Sequence, residues 1–339
     1  MRRYMLSVSY RGCRFHGWQA QTGLPTVAGA VDDALDRLVG AGNHSRAVGS
    51  SRTDRGVHAL CNTFHVDITR RPRSERSYRA SVDDDDGVLN CNAIHREDSL
   101  PRASHYSVQE LVGGLNAYIK KAGLEMDIRI LGAEIESSKD PSRWRHARFS
   151  ARAREYCYRI APKALSTSGA ILYRDCAASL FECNRAWRLQ CDHLNVEAMR
   201  EAAGRFEGTH DFSSFRHRDC TAKSPVKRVH RVWVRQVANT YGNQIEDCQD
   251  PLLRSLATAS SSQNSSFIPY FAPAPLLVID VAAPSFLHGM VRNIVGTLVE
   301  VGRGRLKPSD LDGVFAAKNR AAAPAKAPAS GLFLAQVKY

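Results

Sequence analysis

The chain of 339 residues has no run of about 18 consecutive apolar residues, so no membrane-spanning helix is expected. It has no C-x-x-C pair. Its nine cysteines are odd in number and scattered, which argues against a disulfide framework or a zinc ribbon and for reduced thiols inside a cell. The signatures H-E-x-x-H, G-x-x-x-x-G-K-[ST] and G-x-S-x-G are all missing, which removes the usual marks of zinc peptidases, P-loop nucleotidases and α/β-hydrolases. The opening residues MRRYMLSVSY hold no apolar run ending in a small-residue cleavage site, so no secretory leader is expected. These features suggest an intracellular protein, cytoplasmic, nuclear or mitochondrial.

Acidic residues are in deficit. Lys and Arg total 47 against 34 Asp and Glu, a formal charge of +13. A charge of that sign favours a polyanionic partner, because each neutralised phosphate releases condensed counterions. Most of the excess is arginine, whose planar fork suits bidentate phosphate contacts. The length suggests roughly two domains at about 150 residues each.

Residues 4–10 alternate, with Tyr4, Leu6, Val8 and Tyr10 on one face, which predicts a half-buried strand. Thr26 can cap a helix carrying Val27, Val31, Ala34, Leu35 and Leu38. Phe64, Val66 and Ile68 predict a second strand. Leu111, Leu115 and Tyr118 predict a helix after Ser107, followed by a strand over 128–135. Further on, Tyr156, Tyr158 and Ile160 read as a strand, and Asn195 as the cap of a helix with Val196, Met199, Ala203 and Phe206. Val232 and Val234 mark another strand, as do Leu277, Ile279 and Val281. Leu287, Val291, Ile294, Leu298 and Val301 form the stripe of a long helix, and 332–339 closes as a strand. This mixture, without a phosphate-loop βαβ unit, predicts an α+β fold with a mainly antiparallel sheet. The expected division is 1–140 and 141–339. Two charged or polar insertions, near 70–105 and 242–267, are expected to be flexible.

The segment Ser51-Arg52-Thr53-Asp54-Arg55-Gly56-Val57-His58 places two arginines around one aspartate just before a strand. Such a carboxylate would be held ionised by guanidinium charge and could serve as a nucleophile or a base. The same residues also suit an Asp-x-Gly turn with surface arginines. His58 and His210 are possible acid–base groups, although histidine at an element end is more often structural. Trp18 and Gln19 read as loop packing, and Arg70 to Arg79 as a solvated charge run.

Arg52-Thr53-Asp54 followed by Gly56-Val57-His58-Ala59 resembles the catalytic signature of the TruA family of tRNA pseudouridine synthases. Phe15-His16-Gly17-Trp18-Gln19-Ala20-Gln21 resembles its early element. His146-Ala147-Arg148-Phe149-Ser150-Ala151 and Arg154-Glu155-Tyr156-Cys157-Tyr158 resemble two middle ones, and Gly208-Thr209-His210-Asp211-Phe212-Ser213-Ser214-Phe215 resembles another. Met290-Val291-Arg292-Asn293-Ile294-Val295-Gly296 and Gly331-Leu332-Phe333-Leu334 resemble the last two. Ala28 stands where the family has glutamine, Arg143-Trp144-Arg145 is unusually basic, and the two insertions resemble those of eukaryotic members.

The resemblance implies two related α+β halves sharing a mainly antiparallel sheet, with a basic central cleft. It makes Asp54 the catalytic aspartate, acting at C1′ or C2′ of the ribose, with Arg52 beside it. Arg292 becomes its ion-pair partner and Tyr156 the aromatic that stacks on uracil. It implies tRNA as partner, uridines of the anticodon stem-loop as targets, no cofactor or metal, and a homodimer. The rival readings are a non-catalytic RNA-binding or RNA-folding protein on the same scaffold, and a metal-dependent nuclease using Asp54, Asp211 and histidines.

Overall fold

The fold was analysed in a computed structural model, which describes residues 1–69, 105–138, 140–162, 183–191, 194–237 and 276–339. Both expected insertions lie outside the described residues.

The described strands are β1 (Arg2–Tyr10), β2 (Val48–Gly49), β3 (His58–Ile68), β4 (Ile128–Ile135), β5 (Ala153–Pro162), β6 (Trp187–Leu189), β7 (Gly208–Asp211), β8 (Val226–Val229), β9 (Arg231–Val237), β10 (Leu276–Ala283) and β11 (Leu332–Lys338). The helices are α1 (Val27–Val39), α2 (Val108–Lys121), α3 (Val196–Gly204), α4 (Met290–Gly302) and α5 (Asp310–Ala317). The caps are those the sequence suggests. Thr26 Oγ1 accepts from the Gly29 N–H, and Asn195 Oδ1 from the Ala198 N–H. Ser107 and Glu110 form a reciprocal capping box at the start of α2. The short β2, β6, β7 and β8 and the helix α5 carry too little periodic sequence to be read in advance.

One sheet runs in the order β4-β1-β3-β11-β5-β10-β9, with β2 added on β3 and β6 on β5; β7 and β8 form a separate hairpin. Its ladders are antiparallel except β3–β11 and β5–β6. The mainly antiparallel α+β architecture expected from the sequence is therefore present. In the first half α1 packs on α2, which covers β4; in the second α3 packs on α4 and β9. The expected division at 140 falls between β4 and β5. The last strand stitches the two sides together: β11 pairs Phe333 with His58 of β3 and Phe333 with Cys157 of β5. Whatever precedes β3 and whatever β5 carries are thus brought to one seam.

The alternation read in β1 is the one observed, since Tyr4, Leu6, Val8 and Tyr10 are all buried. Trp18, Tyr158, Phe64, Phe206, Phe212 and Phe215 are among the largest fully buried side chains. Each contributes about 2 kcal/mol through removal of apolar surface from water. The G-x-H-D-F-x-x-F element is mostly a packing device: Phe212 and Phe215 join Phe206 and Phe315 in an aromatic cluster. Cys13, Cys61, Cys157, Cys183 and Cys220 are in no disulfide. Among the described residues no helix is long and apolar enough to cross a membrane.

Two buried histidines give the fold an acid-sensitive side. His58 stacks on Phe333 with centroids 4.6 Å apart, and the His65 ring nitrogen Nδ1 accepts from the Ala147 N–H. Burial holds both imidazoles down at a pKa of about 4. The unfolded chain takes up protons near 6.5, so stability is full above that pH and is lost as pH falls from 6.5 toward 4. At pH 5.5 the loss is expected to be about 1 kcal/mol per histidine. Urea melts at pH 7.5 and 5.5 check this; equal midpoints would show that neither ring is desolvated as described.

Candidate active site

Asp54 lies in the turn that feeds β3. The Val57 N–H donates to the Asp54 carbonyl at 3.1 Å, and Gly56 takes φ +78°, so the turn expected at Asp-x-Gly forms. The early Phe15-to-Gln21 element cradles this loop. The Trp18 N–H donates to the Thr53 carbonyl, and the Gly56 N–H to the Phe15 carbonyl. At Gly17 a Cβ would stand 2.5 Å from the Thr53 carbonyl oxygen, and its φ is +95°, so any side chain there would push the loop away. Trp18 itself is 1% exposed and packs against Tyr10 and Phe64, which is the loop-packing role expected of it.

Side chains clamp the same loop from the sheet. The Tyr10 hydroxyl bonds Thr53 Oγ1 at 2.8 Å, and Asn62 links Ser50 Oγ, the Ser51 carbonyl and the Tyr10 hydroxyl. Arg154, buried on β5, donates to the Ser50, Pro284 and Arg148 carbonyls. One guanidinium thereby ties together the Asp54 loop, the loop leading to α4 and the His146-to-Ala151 element. Burial lowers its pKa from the ordinary arginine value. A buried cation held, among the described residues, by carbonyl dipoles is costly, which marks the geometry it holds as worth that cost.

The partners of Asp54 come from elsewhere. Arg292, in the first turn of α4, places Nη1 3.5 Å from Asp54 Oδ2, and His288 places Nε2 3.4 Å from Oδ1. Arg292 is held by a second fold contact, since its Nε donates to the Ala327 carbonyl at 2.7 Å and the Ala327 N–H returns to the Arg292 carbonyl. That loop can approach α4 because position 296 is glycine: a Cβ there would stand 2.1 Å from the Ala325 carbonyl oxygen. Burial pulls the Arg292 guanidinium below its ordinary pKa, opposed by the Asp54 charge.

Tyr156 sits on β5 with its hydroxyl 2.7 Å from Ser51 Oγ and its ring edge-to-face with Phe286. Burial, with the Asp54 charge adding to it, pushes the phenol up to about 12. It therefore keeps its proton near neutrality and offers a ring face and a hydroxyl rather than a basic oxygen.

The structure thus brings together Asp54, Arg292 and Tyr156. It corrects the local reading of the clamp. Arg52 and Arg55 are exposed and make no ion pair with Asp54; the partners are Arg292 and His288. The physical reason is the tight turn at 54–57, which leaves the sequence neighbours facing water. His58 is a core residue stacked on Phe333, and His210 stacks on Phe315 and reaches the Glu207 carbonyl, so neither joins the site. Asp211 accepts from the Ser213 N–H and lies 3.8 Å from Lys318, away from Asp54. Among the described residues no three His, Cys, Asp or Glu side chains converge as a metal site. His288 was missed by the sequence reading. Its signal was available: it stands four residues before Arg292, beside Gly289, whose φ of +73° starts the helix.

Asp54 is thus anchored at the seam of a shared, mainly antiparallel sheet, and Arg292 is delivered to it by a helix. Residues 202–339 match the family model described as tRNA pseudouridine synthase. The chain is 33% identical to tRNA pseudouridine synthase A of Nitrobacter winogradskyi, over all of this chain and 96% of that protein. It is 31% identical to the protein of that name from Roseobacter denitrificans, over all of this chain and 96% of the relative. With its namesake from Orientia tsutsugamushi strain Ikeda the identity is 32%, over the full length of both. The chain belongs to the TruA family of tRNA pseudouridine synthases.

Proposed function

We propose that this protein isomerises uridine to pseudouridine in tRNA, with Asp54 as the group that acts on the ribose. The observation that carries the assignment of roles is the pairing of Asp54 with both Arg292 and His288 next to the Tyr156 ring. The reaction breaks the N1–C1′ bond, turns the uracil and joins C5 to C1′; a proton leaves C5 and one is gained at N1. Atoms and electrons balance without a donor or an oxidant. The target uridine must leave its stack to reach a carboxylate set in the seam, at a cost of a few kcal/mol. Asp54 then engages C1′ as nucleophile or C2′ as base. Arg292 and His288 orient it, and the Tyr156 ring supports the detached uracil.

Arg52, freed from any pairing with Asp54, is available to the RNA backbone, as the overall charge of +13 would favour. Uridines of the anticodon stem-loop are the targets we infer from the family, and a homodimer the assembly; sedimentation of the full chain measures the latter. An intracellular setting, where tRNA is found, completes the reading.

The test is incubation of the protein with an unmodified tRNA transcript, without added metal or donor, followed by nucleoside analysis. Pseudouridine should appear in RNA of unchanged length, and initial rates at subsaturating RNA should fall steeply between about 50 and 200 mM salt. Intact RNA with no pseudouridine would leave a non-catalytic RNA-binding protein, and cut RNA would point to a nuclease.

A further inference from the structure

Beyond His288, the residue that joins it to Asp54, lies a cavity of about 500 Å³ that the reaction scheme does not use. That volume suits roughly one nucleotide. His217, Arg218, Asn293, Arg320 and Lys326 line it. It is linked to the reacting carboxylate through His288: the His217 ring packs against His288 at a tilt with centroids 4.5 Å apart, His288 in turn reaches Asp54, and Lys326 feels the charges of both Asp54 and Arg292.

Two features of the cavity are unbalanced. The first is charge. Arg320 spends its guanidinium on the Ala323 and Pro324 carbonyls, and burial alone lowers its pKa, with no carboxylate opposing. Lys326 makes no hydrogen bond and has no carboxylate within 4 Å among the described residues; burial, Arg292 and Arg320 all depress its ammonium, and only Asp54 opposes them. The acid at the rim, Asp219, is exposed and lies 3.5 Å from His217 and 3.7 Å from Arg218. An anion in the cavity would relieve this excess.

The second is a buried acceptor. Asn293 is 0% exposed, and its Nδ2 donates to the Phe215 carbonyl at 2.6 Å. A carbonyl only accepts, so the amide orientation is determined, and Oδ1 has no partner among the described residues. Such an atom is destabilising unless a donor arrives. A ligand that is anionic and also carries a neutral donor meets both needs. In an RNA backbone the phosphate and the 2′-hydroxyl supply them.

We propose that the cavity seats the ribose-phosphate of the nucleotide adjoining the extruded uridine, its phosphate against Lys326 and its 2′-hydroxyl donating to Asn293 Oδ1. The inference rests on the reading of Asp54 as the group that acts on the target ribose, because only a covalently neighbouring nucleotide would reach the cavity at the same time. It accounts for a cationic wall behind the catalytic carboxylate and gives the enzyme a contact that an extruded deoxynucleotide chain cannot make.

The experiment uses the full chain carrying Asp54→Asn and a synthetic RNA stem-loop in which the wild-type protein has first been shown to form pseudouridine. Binding is measured by fluorescence anisotropy with the all-ribose RNA and with a single 2′-deoxy substitution on either side of the target. One of the two deoxy RNAs should bind about tenfold more weakly, the effect of one buried acceptor left unmade. An abasic neighbour that keeps its 2′-hydroxyl should bind as the parent does. Lys326→Gln in the same background should reduce the slope of log affinity on log salt by about 0.7–0.9, one phosphate contact. Binding within twofold for both deoxy RNAs, loss with the abasic RNA instead, or an unmoved salt slope overturns the proposal. Failure of the wild-type protein to form pseudouridine would be seen before any of these and would strike the functional reading itself.

Discussion

Replacing Asp54 with asparagine is expected to lower single-turnover pseudouridine formation by about 10⁴-fold or more, the scale of loss when the reacting group of a covalent or proton-transfer site is removed. The substitution is nearly isosteric, and the loop is held by contacts that do not involve the carboxylate. Its backbone is bonded to Trp18 and Phe15, and its flanking residues to Tyr10, Asn62, Tyr156 and Arg154. The fold should therefore persist, with a thermal midpoint close to that of the parent. RNA affinity should be retained or increased, because the anion is gone while the Arg292 and Lys326 side chains remain near the vacated charge. Quench-flow on labelled tRNA measures the chemical step, and anisotropy measures binding. Turnover within tenfold of the parent would remove Asp54 from the chemistry.

The second large effect is expected at Arg292. Arg292→Met should cut kcat by about 10²–10³-fold, the range seen when a preorganised charge contact is deleted from a buried site. Two losses combine. Asp54 is left with His288 as its partner, and the loop around Ala327 loses the guanidinium bond that holds it on α4. Arg292→Lys should recover little, because one ammonium cannot serve the Ala327 carbonyl and the Asp54 carboxylate together as the planar fork does. The measurement is kcat and KM on tRNA for both variants beside their melting curves. A methionine variant with more than a third of the parent kcat, or a lysine variant that is fully active, would show that the ion pair is ornamental.

How far the sequence could be read depended on periodicity and on turn chemistry. The long stripes of α1, α2 and α4 and the alternation of β1 and β5 follow from spacing, because each element buries one face. Thr26 and Asn195 announced helix starts for the reason that their side chains satisfy otherwise unpaired backbone N–H groups; Ser107 does the same at α2. The three-residue β6 and the β7–β8 hairpin contain too few residues for either period to show. Gly17 and Gly296 were visible as motif glycines, but their reason, a carbonyl pressed against the missing Cβ, belongs to strands and loops far apart in the chain.

The candidate site divides in the same way. Asp54 and its turn, the tyrosine at 156 on a strand and the arginine at 292 on a helix were each legible from local pattern and family motif. The sequence by itself determined which side chains had the chemistry. The family resemblance paired Arg292 with Asp54, but the physical reason for that meeting, and the arrival of His288, lie in three dimensions. Arg52 and Arg55 are chain neighbours of Asp54, yet they face water, where screening makes an ion pair weak. Arg292 and His288 arrive because β11 joins β3 to β5 and β10 delivers α4 behind them; the Arg292 guanidinium, 13% exposed, is largely withdrawn from solvent where it meets Asp54, whereas His288 stays at the surface, 42% exposed. An ion pair gains strength from burial, and burial is a property of packing, so no reading of adjacent residues could have named the partners of that carboxylate.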